Sequence, residues 1–113
     1  MRYFELSEFE CPCCKQAKMD QIFLNMLDHA REFAQVPFII NSGYRCDQHN
    51  REVGSTSNNH TSGRAADIAC KDGPTRLRIV SALLKAGFKR LGIAKTFIHV
   101  DSNDGSPESI WLY

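Results

Sequence analysis

Apolar residues between positions 20 and 34 recur at steps of three and four residues, which is the period of an amphipathic helix. Asp20 is a suitable N-cap residue directly before this stretch, and Pro37 follows it. The pattern therefore predicts a long helix that begins after Asp20 and ends before Pro37. Its apolar positions are Ile22, Phe23, Met26, Leu27, Ala30, Phe33 and Ala34.

A second stretch with helical spacing lies between Thr75 and Gly87. It predicts a helix with Thr75 as N-cap and Gly87 at C′, where glycine accommodates a left-handed backbone. Its apolar stripe consists of Leu77, Ile79, Val80, Leu83 and Leu84. The polar stretch 46–52 predicts a shorter helix that ends at Gly54. Ser7 and Glu10 have the spacing of a capping box, which predicts a helical turn over residues 8–11.

Short apolar runs between turn residues predict strands. These runs cover residues 37–41, 64–70, 90–93, 96–101 and 110–113. Helices and strands in this order predict an α+β fold, in which a few helices pack on a small, mostly antiparallel sheet.

The length of 113 residues is typical of one domain. We expect a single domain over residues 1–113, with the Cys-rich N-terminal segment 1–19 packed onto it. The net charge of +1 and the lack of a polybasic run argue against nonspecific nucleic-acid binding and an electrostatic membrane anchor. No apolar run has the length of a membrane span or a signal peptide, so we expect cytoplasmic synthesis. The default oligomeric state is a monomer.

The chain has five cysteines, an odd number, and three of them lie between positions 11 and 14. A reducing compartment favours free thiols or metal ligation over disulfides. Cys11 and Cys14 have the spacing of metal ligands, and Cys46 with His49 would complete a tetrahedral structural zinc site. In the alternative, the Cys11 to Cys14 turn is a reduced, partly exposed knuckle, and Cys46 and Cys70 are small buried apolar residues.

Residues 96–101 alternate strictly between apolar and polar, so His99 and Asp101 share one strand face. His60 and Asp67 lie on either side of Gly63, whose flexibility permits a tight turn. Two histidines and a carboxylate suit Zn²⁺, and three protein ligands leave the fourth tetrahedral position for water, as in catalytic zinc sites. Taken alone, the His99 and Asp101 pair is equally compatible with a solvated surface.

Arg45 follows a predicted strand in the turn Ser42-Gly43-Tyr44-Arg45. In such a turn its guanidinium can present several donors to a carboxylate or a developing oxyanion. The alternatives are a surface ion pair for Arg45 and a half-buried packing role for Tyr44.

Three segments in this order resemble the zinc D-alanyl-D-alanine carboxypeptidase family, which includes murein endopeptidases, phage endolysins and the peptidase-like fold of Hedgehog domains. They are residues 42–45, residues 60–67 and residues 99–101. The resemblance implies that His60, Asp67 and His99 bind one Zn²⁺ and that Arg45 lies near the scissile group or the terminal carboxylate of the substrate. It also implies hydrolysis of peptide bonds in bacterial peptidoglycan, in the manner of an endolysin or a D,D-carboxypeptidase or endopeptidase. We expect Arg45, Tyr44 and Ser62 to contact substrate.

Two positions depart from the family pattern. Thr96 stands where many members have the acidic general base, and Asn58 replaces a common serine. Asp101 is then either the general base or a partner that orients an imidazole. Thr96 also favours a second hypothesis, a noncatalytic zinc-binding module that recognises cell-wall peptides or a protein partner.

Two expectations concern compartment and the remaining aromatic residues. Cytoplasmic synthesis and a cell-wall substrate are compatible if the protein reaches the wall after phage-type lysis or by another export route. Trp111 and Tyr113 are expected to pack against the core or to line the substrate groove.

Overall fold

The computed structural model describes residues 1–55 and 57–113. A short 3₁₀ helix at Leu6–Phe9 precedes the first α-helix. The α-helices are α1 (Gln21–Ala34), α2 (Asp47–Glu52) and α3 (Gly73–Lys85). The strands are β1 (Ile40–Ser42), β2 (Ala65–Ala69), β3 (Arg90–Ile93), β4 (Phe97–Asp101) and β5 (Ser109–Leu112).

The strands form one sheet in the order β1-β2-β4-β3-β5. Strand β2 is antiparallel to β1 and β4, and β3 is antiparallel to β4. Strand β5 runs parallel to β3, so the sheet is mixed and the expectation of a mostly antiparallel sheet is corrected here. The reason is the connection 102–108. It starts at the end of β4, beside the start of β3, and reaches the outer side of β3 at the same end of the sheet. The returning strand must therefore run in the direction of β3.

The ends of the two long helices follow from local hydrogen bonds. The Asp20 carboxylate accepts from the Phe23 N–H at 2.9 Å, which confirms the predicted N-cap of α1. The predicted Thr75 cap of α3 is wrong. The cap is Asp72, whose carboxylate accepts from the Thr75 N–H at 2.8 Å, because Gly73 and Pro74 already form the first turn. Gly87 follows α3 with φ of 105°, as the C′ prediction requires.

The hydrophobic core lies between the helices and one face of the sheet. Helices α1 and α3 pack together and bury Phe23, Leu27, Ile79 and Leu83 completely. Ile98 and Val100 of β4 are fully buried on the same side. Burial of each such side chain stabilises the fold by about 1.5–3 kcal/mol. The opposite face of β4 carries His99 and Asp101.

The N-terminal segment packs onto both the core and the loops of the opposite face. Phe9 is fully buried, and its carbonyl accepts from the Tyr44 N–H at 2.8 Å. The capping prediction for Ser7 and Glu10 is wrong, because the Glu8 carboxylate instead accepts from the Glu5 N–H at 2.7 Å. None of the helices in the described part of the chain is long and apolar enough to cross a membrane.

Candidate metal centre and substrate cleft

One row of residues runs across the sheet on the face that carries the polar side chains. Asp67 on β2 is paired with Ser42 on one side and with His99 on the other. The row continues through Gly92 of β3 to Trp111 of β5. A Cβ atom on Gly92 would lie 2.6 Å from Nε1 of Trp111, so this glycine provides the space for the indole beside His99. The register thus brings a carboxylate, an imidazole and an indole together.

His60, Asp67 and His99 form a compact group of potential metal ligands. One nitrogen of each histidine and one oxygen of Asp67 all lie within 4.8 Å of one another. Nε2 of His60 is 3.4 Å from Asp67 Oδ1, and Nδ1 of His99 is 2.9 Å from the same oxygen. The structure therefore assembles all three predicted ligands.

His60 reaches this group from the loop before β2. Its Nδ1–H donates to the Gly43 carbonyl at 2.8 Å, so Nε2 is the nitrogen that faces Asp67. The loop is held by Gly63, which has φ of 75° and whose carbonyl accepts from the Asp20 N–H at 2.9 Å. A Cβ at Gly63 would lie 2.1 Å from the Lys18 carbonyl oxygen. A side chain is excluded here by both backbone conformation and space.

His99 is oriented from behind by a second carboxylate. Its Nε2–H donates to Asp101 Oδ2 at 2.7 Å, which leaves Nδ1 for the Asp67 side. The other Asp101 oxygen accepts from Arg90 Nε at 2.7 Å and from the Asn103 N–H at 3.0 Å. Asp101 is 1% exposed, and both of its oxygens are engaged away from Asp67. These contacts favour the orienting role for Asp101 over that of a general base.

The charges of the group are coupled. Burial would raise the pKa of Asp67, but its contacts with the His60 and His99 imidazoles hold it well below its ordinary value. Burial would lower the pKa of His99, but its hydrogen bonds to Asp101 and Asp67 raise it. The pKa of Asp101 falls because the hydrogen bonds from His99 and Arg90 outweigh burial. Both carboxylates are therefore ionised at neutral pH, as ligands and orienting groups must be.

This donor set fits Zn²⁺. Two imidazole nitrogens and one carboxylate oxygen are ligand types that zinc takes in catalytic sites. In each imidazole, the nitrogen that does not face Asp67 makes a hydrogen bond. In His60 this partner is the Gly43 carbonyl, and in His99 it is the Asp101 carboxylate. Such outer contacts fix the tautomer and the ring orientation of metal-binding histidines.

The comparison with known families bears directly on this site. The family model for Peptidase M15 matches residues 2–101. The chain belongs to the Peptidase M15 family. These are zinc-dependent metallopeptidases of the D-alanyl-D-alanine carboxypeptidase type, so this M15 peptidase is a hydrolase. No curated protein matches the chain.

Arg45 lies at the edge of the metal group of this M15 peptidase. Its Nη2 is 3.7 Å from Asp67 Oδ2, and its side chain is 13% exposed. Nε donates to Ser42 Oγ at 3.2 Å and Nη1 donates to Asn50 Oδ1 at 3.2 Å. Asn50 is itself fixed, because its amide donates to the Ser57 carbonyl at 2.9 Å. The guanidinium is held in place while donors on Nη1 and Nη2 remain for a ligand.

The M15 peptidase has a cleft of about 260 Å³ above the metal group. Aromatic side chains of Phe97, Trp111 and Tyr113 form one wall. Polar residues form the rest of the lining, namely Arg45, Ser55, Ser57, Asn59, His60, Asp67 and His99. Trp111 and Tyr113 thus line the groove, which was one of their two expected positions. A cleft with an aromatic wall and an arginine suits a short peptide with a carboxylate.

Two residues predicted to contact substrate lie elsewhere in the M15 peptidase. Ser62 is absent from the described lining, and its hydroxyl donates to the Asn59 carbonyl at 2.8 Å within its own loop. Tyr44 is also absent from that lining and is 9% exposed. Burial raises the pKa of its phenol. Thr96, in the position of the usual acid, is exposed and lines a different depression, beside β1 and the end of β2.

The structure brings together three of the four residues of the predicted cysteine site. The thiols of Cys11, Cys14 and Cys46 lie within 4.8 Å of one another. His49 is absent from this group among the described residues, and its Nδ1 instead lies 3.7 Å from Glu52 Oε2. The reason is that Cys46 is the N-cap of α2, so the His49 backbone N–H faces the thiol while its side chain points along the helix.

Two contributors to the site of this M15 peptidase were missed from sequence. Arg90 holds Asp101, and its guanidinium lies 4.9 Å from the Trp111 ring centroid. Asn50 holds Arg45. Strand alternation places Arg90 on a polar face, but only the register of β3 against β4 identifies Asp101 as its neighbour. The sequence carries no signal of its own for Asn50.

Proposed function

We propose that this protein hydrolyses peptide bonds in the stem peptides or cross-bridges of bacterial peptidoglycan, as an endolysin or as a D,D-carboxypeptidase or endopeptidase. The observation that carries the proposal is the group of His60, Asp67 and His99 at the base of a cleft that also contains Arg45. Membership of the M15 family supports the same substrate class.

The residues divide into ligands and orienting groups. His60 Nε2, Asp67 Oδ1 and His99 Nδ1 would hold Zn²⁺. When bound, the ion supplies Lewis acidity towards a peptide carbonyl and a source of nucleophile at neutral pH. Gly43 and Asp101 keep the two imidazoles in the tautomers that direct these nitrogens to one point. Asp101 is thus a positioning residue in this proposal.

Arg45 provides positive charge on the substrate side. Its free donors would bind either the developing oxyanion or the terminal carboxylate of the peptide. The ion pair with Asp67 and the hydrogen bonds to Ser42 and Asn50 fix the guanidinium before substrate arrives. This preorganisation avoids the cost of ordering a flexible side chain during the reaction.

The aromatic wall would hold the peptide. The Trp111 and Tyr113 ring centroids lie 6.4 Å apart, and burial raises the pKa of the Tyr113 phenol, so Tyr113 stays protonated at neutral pH. The hydroxyl therefore keeps a proton that it can donate to a substrate carbonyl. Phe97 packs against Tyr113 with ring centroids 5.3 Å apart, which supports the wall.

One observation favours the second candidate, a noncatalytic zinc-binding module for cell-wall peptides or a protein partner. Asp67 is the only carboxylate among the described residues that line the cleft. A site without a free acid can bind zinc and peptide without cleaving it.

The deciding experiment is mass spectrometry of purified peptidoglycan fragments incubated with the zinc-loaded protein and with a His60→Ala control. The proposal predicts new peptides with the wild type alone. Loss of one terminal residue identifies a carboxypeptidase, and separated stems identify an endopeptidase. Clearing of intact cell walls by added protein supports the endolysin role. Fragments that bind but stay intact would favour the noncatalytic module.

A further inference from the structure

The cysteine cluster lies between two parts of the chain that are far apart in sequence. Cys11 follows the 3₁₀ helix and is fully buried, and Cys46 begins α2 directly after Arg45. The cluster therefore joins the N-terminal segment to the turn that carries the cleft arginine. It is separate from the group of His60, Asp67 and His99, with which it shares no ligand.

The distances in the cluster match ligands around a metal better than a disulfide. Sγ of Cys11 and Sγ of Cys46 are 3.7 Å apart. A disulfide has an S–S bond of about 2.05 Å. Four thiolates around zinc, each with a bond of about 2.3 Å, have tetrahedral edges of about 3.8 Å. Cys14 lies within 4.8 Å of both sulfurs, so three corners of such a tetrahedron are present.

Backbone N–H groups point at these sulfurs. The Cys46 N–H donates to Cys11 Sγ at 3.5 Å, and the His49 N–H donates to Cys46 Sγ at 3.5 Å. Such donors favour negative charge on sulfur, and zinc binds cysteine as the thiolate.

A fourth thiol is available. Cys13 lies between Cys11 and Cys14 in the same turn and is exposed, with its thiol outside the group of three, whereas the His49 imidazole faces Glu52. We propose that Cys11, Cys13, Cys14 and Cys46 bind a second zinc ion in a closed, structural site. Four protein ligands leave no open position, so this ion has no direct part in hydrolysis. The ion would fix segment 1–19 against the turn that contains Arg45. This turn is already linked to the loop of His60, because the Arg45 backbone N–H donates to the His60 carbonyl at 3.3 Å.

The two sites differ in ligand chemistry, so one spectrum separates them. Cobalt(II) that replaces zinc gives an intense thiolate-to-metal charge-transfer absorption only where sulfur is a ligand. The group of His60, Asp67 and His99 contains no sulfur. We expect this absorption in the wild type and in His60→Ala, and its loss in Cys46→Ser.

Metal counting under reducing conditions completes the test. We expect two zinc ions per chain in the wild type, and one in both His60→Ala and Cys46→Ser. Cys70→Ala is the matched control, because Cys70 is buried outside the cluster and its thiol bonds to the Asp72 carbonyl; both ions should remain.

His49→Ala should also keep both ions, whereas Cys13→Ser should weaken the charge-transfer absorption. Loss of the cysteine-bound ion should lower the Tm by roughly 10 °C or more.

Specific results would overturn this inference. A wild-type protein with one zinc and no sulfur-to-cobalt absorption has no cysteine site, even if Cys46→Ser fails to fold. A Cys11 to Cys46 disulfide that persists in reducing buffer would have the same meaning. An effect of His49→Ala without an effect of Cys13→Ser would contradict the fourth ligand. None of these three results would affect the proposed peptidase activity, which is tested at His60.

Discussion

Asp101 and His99 are joined by a hydrogen bond of 2.7 Å between the carboxylate and Nε2 of the imidazole. Both residues lie on β4 and point to the same face, since they are two positions apart. Arg90 on the neighbouring strand holds the other oxygen of Asp101. Hydrogen bonds thus link Arg90 to Asp101 and Asp101 to His99. This network ends at Nδ1 of His99, which lies next to Asp67.

This hydrogen-bond network predicts the effect of Asp101→Asn. The amide has nearly the same shape but no charge, so it orients and polarises His99 less well. We expect the affinity of the His60 site for zinc to fall about 10- to 100-fold, with activity falling in parallel at limiting zinc. Zinc affinity is measured by competition with a chromophoric chelator. The same measurement on His60→Ala gives the zinc binding that is due to the cysteine cluster.

The matched control is Asp104→Asn, which makes the same change in an exposed carboxylate of the following loop. Its zinc affinity should equal that of the wild type. If Asp101→Asn keeps full zinc affinity and loses turnover at saturating zinc, Asp101 is the general base and the positioning role is wrong.

Arg45→Lys should separate substrate chemistry from metal binding. Lysine keeps the charge but loses the planar donors that contact Ser42 and Asn50. We expect turnover to fall about 10²- to 10³-fold while zinc content stays unchanged. Arg2→Lys is the control, because Arg2 lies in an exposed ion pair with Glu32. Simultaneous loss of zinc and of turnover in Arg45→Lys would show that the residue supports the metal site instead.

Gly63→Ala should be costly where Gly54→Ala is mild. Both glycines have positive φ, of 75° and 78°. At Gly63 the new Cβ would lie 2.1 Å from the Lys18 carbonyl, whereas nothing lies within 4 Å at Gly54. We expect losses of unfolding free energy of about 2 kcal/mol or more for Gly63→Ala and about 1 kcal/mol for Gly54→Ala, from urea denaturation. Equal losses would mean that the packing of the His60 loop on Lys18 does not contribute.

The cap of α3 predicts a pH dependence. Hydrogen bonds from Thr75 lower the pKa of Asp72 below its ordinary value of 3.8. A lowered pKa in the folded state gives stability that is present above about pH 3.8 and is lost as the pH falls through the folded-state pKa. We expect Asp72→Asn to have a lower Tm than the wild type at pH 7, with the gap closing below that range. A gap that stays constant on acidification would show that charge at the cap is unimportant.

The sequence predicted most of the secondary structure, and it named the three residues that the structure brings together as a candidate metal group. Helix α1 and its Asp20 cap follow from periodicity, and strand β3 was predicted with its observed bounds. His60, Asp67 and His99 were found because their order and spacing resemble a family pattern, and the sheet register then brings them together. Helix periodicity, helix caps and the three short segments of the family pattern can be read from the sequence, because each depends only on residues close together in the chain.

Features that depend on long-range pairing could not be predicted. The parallel pairing of β5 with β3 depends on the path of the connection 102–108. The contact of Arg90 with Asp101 depends on strand register. Ser62 has a motif position beside His60, yet its hydroxyl satisfies the Asn59 carbonyl in its own turn instead of facing the cleft. Spacing identifies neighbours in the chain, but side-chain direction in a loop depends on its local hydrogen bonds.

The most direct test of the account measures peptide hydrolysis and metal content in the same samples. Chelator-treated wild type, the same protein restored with excess zinc, and His60→Ala with excess zinc are each incubated with peptidoglycan stem peptides. Mass spectrometry then detects the products. We expect cleavage in the restored wild type alone, with one less zinc ion per chain in His60→Ala. Intact peptides in the restored wild type, with zinc bound at His60, Asp67 and His99, would contradict the peptidase assignment.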